Sequence, residues 1–143
     1  GYIEGLNLLS SMRLCSNVPG QSIIQTALGG YQSANEYIVP GGRIYEQREA
    51  IYKLLNNIPG ISAKKPKAAF YIFPKIDTAK FNITDDNQFA LDFLKEKRVL
   101  VVPGRGFNWE QPDHFRIVYL PRPSVLKEAM DKLSDFLETY HQG

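Results

Sequence analysis

The stretch DHFRIVYLP, Asp113 to Pro121, decides how the chain is read. Phe115, Ile117, Val118, Tyr119 and Leu120 suit a pleated, mostly buried surface, so the run reads as a β-strand. Arg116 interrupts it, because a guanidinium is rarely buried without a partner. Alternation along a strand places His114, Arg116, Val118 and Leu120 on one face, with Phe115, Ile117 and Tyr119 on the other. Two readings of Arg116 stand open. It grips a planar carboxylate through two parallel hydrogen bonds, or it is spent inside the fold, on an ion pair to Asp113 or Glu110 or at an exposed edge.

Downstream of this strand, Pro123 to His141 reads as a closing helix with Leu126, Met130, Leu133, Phe136, Leu137 and Tyr140 on one stripe. Upstream, RVLVVP is a short apolar strand. TDDNQFALDFLKEK is a helix capped by Thr84 or Asp85, with acids in its first turn and Phe89, Ala90, Phe93 and Leu94 on its buried face. Ala68 to Ile76 reads as one long aromatic strand and Gly60 to Ala63 as a short one. Before them lie three helices. The first places Ile3, Leu6, Leu9 and Met12 on one stripe, and the second is capped by Ser16 or Asn17 and ends at Gly29-Gly30. The third runs from about Arg43 to Asn57.

The order is therefore three helices, then β-β-α-β-β-α: an α+β chain with a mainly antiparallel sheet covered by helices. The expected division is 1–42, helices without a sheet of their own, and 43–143, a compact unit opened by helix 43–57. Since the chain opens GYIEGLNLLSSMRLC, already in helical rhythm, it is expected to be cut from something longer.

The 143 residues suffice for one ordinary domain, able to bury roughly 68–70% of its unfolded surface without disulfide or metal. Net charge is +2, from 17 basic and 15 acidic residues interspersed along the chain, which is no electrostatic footprint for nucleic acid. There is no apolar run long enough for a membrane span. A single cysteine, Cys15, excludes an internal disulfide, fits a reducing, cytoplasmic setting, and is expected to be a buried structural thiol. With only His114 and His141 beside it, a structural zinc site lacks ligands.

The loop VPGRGFNWEQPD, Val102 to Asp113, lets backbone amides turn outward at Gly104 and Gly106, with Phe107 and Trp109 as an apolar wall; it also reads as a plain strand connection. GRGFNW is neither a dinucleotide fingerprint nor a phosphate loop. Asp113-His114 is a weak catalytic pair, because neighbours in a strand point to opposite faces. The cluster AKKPK reads as solvated, and the aromatics of AFYIFP read as core.

Taken together, MRLCSNVPGQSIIQTALGGYQS, GGRIYEQR, FYIFPKID and VPGRGFNW…DHFRIVYLP resemble, in order and spacing, the C-terminal third of the fold type I, pyridoxal-phosphate-dependent class I/II aminotransferases. The bacterial alanine (glutamate–pyruvate) aminotransferases are the subgroup most similar. The resemblance implies that Arg116 binds the substrate α-carboxylate, that Phe107 sits by the substrate entrance, and that Ser16 and Asn17 reach toward the active site of a second subunit. It makes 1–42 the C-terminal helices of an incomplete cofactor-binding large domain and 43–143 the small domain.

The family's Schiff-base lysine stands in an S-x-S-K type setting, and none of the ten lysines here has one. The resemblance thus implies a cytoplasmic, homodimeric transaminase that uses pyridoxal phosphate to exchange an amino group between an amino acid and a 2-oxo acid, with alanine/pyruvate and glutamate/2-oxoglutarate as the pairs. This chain alone is expected to be inactive and to hold no catalytic residue, cofactor or metal. The competing class is a non-enzymatic α+β domain whose Arg116 grips an acidic ligand or partner.

Overall fold

The computed structural model describes residues 1–13, 15 and 17–143. They form two units, Gly1–Glu36 and Tyr37–Gly143. The first holds α1 (Tyr2–Met12) and α2 (Val18–Gly29). Asn17 caps α2, its side-chain oxygen accepting from the Gly20 amide at 2.7 Å, with Pro19 in the first turn where its missing N–H costs nothing. Neither helix has a buried residue, so the stripe expected for α1 is present but uncovered. Cys15 lies between them and is exposed. The buried thiol read from the sequence is corrected here: nothing described around Cys15 forms a core.

Helix α3 (Ala34–Ile38), which the sequence reading did not include, crosses from the first unit into the second. The second unit continues with α4 (Arg43–Asn56), β1 (Ile61–Ser62), β2 (Tyr71–Ile72), β3 (Lys75–Ile76), α5 (Thr78–Phe81), α6 (Asp86–Lys97), β4 (Val102–Pro103), β5 (Phe115–Val118) and α7 (Pro123–Thr139). Every strand pair is antiparallel: β1 with β3, and β5 between β2 and β4. The architecture is α+β, as expected. The expected long strand Ala68–Ile76 is not one strand. Pro74 has no N–H to give a ladder, so the chain bends there and its two halves join different sheets. RVLVVP pairs only at Val102–Pro103, with Val101 still inward and Leu100 outward.

One hydrophobic core binds this unit. Ile51 and Leu55 of α4, Phe89 and Phe93 of α6, and Leu126, Met130, Leu133 and Phe136 of α7 all turn inward, at the spacing the sequence shows. They meet Phe115, Ile117 and Tyr119 from the inner face of β5. Each such side chain contributes about 1.5–3 kcal/mol by leaving water. The Phe89 ring meets that of Phe115 at 5.5 Å and the Phe93 ring meets that of Phe136 at 5.2 Å, both pairs tilted. The exit from β5 is pinned by buried Gln47, whose amide donates at 2.7 Å to the carbonyls of Leu120 and Pro121. At the other end, buried Gln142 accepts from the Thr84 and Asp85 amides at 2.6 and 2.8 Å and donates back to the Asp85 carbonyl. The chain terminus is thereby tied to the entry of α6. No described helix is long and apolar enough to cross a membrane.

Candidate functional site

Because Phe115, Ile117 and Tyr119 fill the inner face of β5, strand alternation turns Arg116 to the outer face. It stands opposite Val102 of β4, with Tyr71 of β2 across from its neighbour Val118. The guanidinium carbon lies 4.5 Å from the centre of the Tyr71 ring and 4.2 Å from that of Phe107. Both rings hold the cation by their negative faces and cover it from water. Neither accepts a hydrogen bond in the guanidinium plane. Among the described residues Arg116 makes no ion pair, and its Nε is buried without a hydrogen-bond partner. A planar fork of donors is thus held in place and left unspent. The ion pair to Asp113 or Glu110 left open by the sequence does not form.

Asp113 has other partners. Its Oδ1 accepts from Trp109 Nε1 at 2.8 Å and lies 2.7 Å from His114 Nδ1, while Lys75 Nζ stands 3.3 Å from Oδ2. Burial alone would raise this carboxyl, but hydrogen bonds from Trp109, His114 and Lys75 outweigh it and hold the pKa at about 2. The sequence reading had the Asp113 and His114 side chains pointing apart. They meet because Asp113 belongs to the turn before β5, where strand alternation does not apply.

The imidazole of His114 stacks on Phe73 at 4.9 Å and meets Trp109 at 4.4 Å. Phe73 in turn meets Phe107 edge-on at 6.2 Å. So Tyr71 and Phe73, read from the sequence as core, face outward and join the Arg116 surface, while Ile72, Pro74 and Ile76 go inward. The alternation Tyr-Ile-Phe-Pro-Lys-Ile carried that signal. Aromatic composition masked it. Beside this surface opens a cleft of about 890 Å³ lined by Lys64, Lys65, Phe73, Lys75, Trp109 and His114.

Phe107 reaches Arg116 from a 3-10 turn, Gly104–Phe107, between β4 and β5. Gly104 donates to the His114 carbonyl at 2.9 Å, and a Cβ there would lie 2.7 Å from that oxygen, so only glycine lets the turn approach so closely. Asp86, at the start of α6, accepts from the Arg105 amide at 2.8 Å. The loop is more than a connection: it delivers a ring to the arginine.

Of the other sequence-derived candidates, Asn17 caps α2 in the first unit, and Ser16 lies outside the described residues. No group of three or more His, Cys, Asp or Glu among the described residues could hold a metal. None of the ten lysines is buried, and hydrogen bonds to Asp135 and Glu96 raise the pKa of Lys97. A Schiff-base nucleophile sits in a desolvated pocket, which none of these lysines occupies, so the residues of this chain do not fit pyridoxal phosphate as a covalent cofactor.

The family model for aminotransferases of class I and II matches residues 2–133. The chain is 58% identical over 142 residues to the glutamate-pyruvate aminotransferase AlaA of Escherichia coli strain K12, covering 99% of this chain and 35% of that protein. It is 60% identical to the protein of the same name from Haemophilus influenzae over the same shares. A crystal structure of an Escherichia coli aminotransferase superposes with a TM-score of 0.87 at 58% identity, again over 99% of this chain and 35% of that one. An alanine aminotransferase from Pyrococcus furiosus superposes with a TM-score of 0.77 at 42% identity, over 94% and 33%. The chain spans about a third of the length of the relatives it matches.

Proposed function

This chain belongs to the class I and II aminotransferases, and on that premise we propose that it is part of a transaminase in which Arg116 binds the α-carboxylate of the substrate. The observation that carries the reading is the unspent guanidinium: covered by Tyr71 and Phe107, its Nε buried, with no acid paired to it among the described residues. A buried donor without a partner costs about 1–3 kcal/mol, a cost that a carboxylate accepting two parallel hydrogen bonds removes. Arginine suits this better than lysine, since its fork fixes orientation as well as charge.

The substrates proposed are an amino acid and a 2-oxo acid, with alanine/pyruvate and glutamate/2-oxoglutarate as the pairs, on the strength of the names of relatives sharing 58% and 60% of their residues with this chain. Pyridoxal phosphate, which the family implies for the full-length parent, would supply the electron sink for breaking the Cα–H bond. This chain supplies orientation. Clamping the carboxylate fixes how the Cα–H bond stands, and Phe107 at the entrance keeps water from the guanidinium. Water exclusion strengthens the charge-assisted contact, the more so when a small domain, 43–143, closes on substrate. Residues 1–42 are then the end of the large domain, whose uncovered apolar residues pack elsewhere in a homodimer, with Ser16 and Asn17 near the second active site.

Arg116→Ala in the full-length parent is expected to lower kcat/KM for both substrates by roughly 10- to 100-fold, the kinetic equivalent of losing a charged hydrogen-bond pair worth about 1.5–3 kcal/mol. Unchanged steady-state kinetics would sink the assignment.

A further inference from the structure

Among the described residues Asp86 is the one charged residue that is buried, with 2% of its surface exposed. Helix geometry does not require it. The cap of α6 is Asp85, whose Oδ1 already accepts from the amides of Asn87 and Gln88 at 2.8 and 3.3 Å. The Asp86 carboxylate turns instead to the 3-10 turn. Its Oδ2 accepts from the Arg105 amide at 2.8 Å, and its Oδ1 lies 3.4 Å from Arg105 Nε without a hydrogen bond of its own. That amide belongs to the second residue of the turn, two residues before Phe107. On the other flank, Gly104 is held against the His114 carbonyl, two residues before Arg116. The turn is thus fixed at two points, one on α6 and one on β5, and its last residue lies on the guanidinium.

We propose that Asp86 is a positioning residue for substrate recognition: by holding the Arg105 amide it lays Phe107 on Arg116 and so fixes the direction of the guanidinium fork. The chemistry favours an acid here. A carboxylate is a stronger acceptor than an amide oxygen, and it places a second oxygen toward the Arg105 side chain. Arg105 is half exposed, so the side-chain pair is weak, and the buried backbone bond does the holding. The proposal rests on the reading of Arg116 as the carboxylate clamp.

The test uses the full-length parent enzyme loaded with its cofactor. Asp86→Ala is expected to raise KM for the amino acid about two- to fivefold, no more than loss of the Phe107 ring it positions, and to raise KM more than it lowers kcat. Asp86→Asn, whose side-chain oxygen can still accept from the Arg105 amide, is expected to restore most of the loss. A double-mutant cycle gives the sharper readout: on a Phe107→Ala background, Asp86→Ala should add little further rise in KM, because its route to Arg116 is already gone. Should Asp86→Ala fail to fold, Asp86→Ser decides in its place, since it is polar yet too short to reach the amide.

Additive losses in the cycle overturn the proposal. So does a lowered melting temperature with KM unchanged, which would mark Asp86 as a plain stability residue. Arg116→Ala is the control. A normal KM there sinks the clamp itself, whereas an impaired Arg116→Ala beside a normal Asp86→Ala sinks only the positioning role.

Discussion

The two faces of β5 use the same residue types to opposite ends. On the inner face, Phe115 packs on Phe89, which in turn meets Phe93 and Phe136, each at most 1% exposed. On the outer face, Tyr71, Phe73, Phe107 and Trp109 form a second aromatic group, which stays half open and surrounds Arg116 and His114. The inner rings release water once, on folding, and their worth is stability. The outer rings hold a cation whose hydrogen bonds are unmade, and under the proposed function their worth lies in binding. Aromatic content does not separate the two surfaces. The presence of an unpartnered guanidinium does.

The largest effect that could break this contrast is on the inner face. Phe115→Ala is expected to destabilise the folded chain by about 3–5 kcal/mol, through lost transfer energy and a cavity that a packed core cannot fill. Denaturant titration reads it directly, and a loss below about 1 kcal/mol would mean that the inner face is not the core it looks like. Arg116→Ala should do the reverse. It removes a buried donor that has no partner, so stability is expected to stay within about 1 kcal/mol of the parent chain while substrate binding collapses. A cost comparable to Phe115→Ala would make the outer face structural and erase the distinction.

Phe107→Ala sharpens it further. The ring is 42% exposed, so little stability is at stake, but a cation–π contact worth about 0.5–1 kcal/mol disappears from Arg116. A two- to fivefold rise in KM with an unchanged melting temperature is the expected pattern. A pH-dependent effect lies in the Asp113 network beside Arg116. Its carboxyl titrates at about 2 in the folded chain against an ordinary 3.8. Between those values the unfolded chain binds more protons. The contribution of Asp113 is therefore complete above about pH 4 and is lost as pH falls through 2. The stability gap between the unaltered chain and Asp113→Asn should be widest at neutral pH and narrow across that window. A gap independent of pH would show that the carboxylate's charge contributes nothing there.

Much of this was legible from the residues. The apolar stripes of α6 and α7 named their buried faces almost residue by residue, because helical spacing fixes which side chains share a side. Asn17 and Asp85 announced two helix starts for the same local reason: a cap is made within three residues of chain. What misled was long-range. Pro74 divides an apparent strand because its halves find different partners, β5 and β1, and no window of sequence contains those partners. The side chains of Asp113 and His114 meet because the chain turns just before β5, a boundary that strand composition does not mark.

The sequence by itself determined the α+β order of elements, the strand that carries Arg116, and the face on which it stands, since alternation and periodicity are properties of the local backbone. Only the tertiary structure decided what that arginine meets. It meets Tyr71 of β2 and Phe107 of the 3-10 turn, 45 and 9 residues away, and that turn is held by Asp86 of α6, 30 residues away. The convergence follows from strand pairing and core packing, and so does the absence, among the described residues, of an acid paired with the guanidinium.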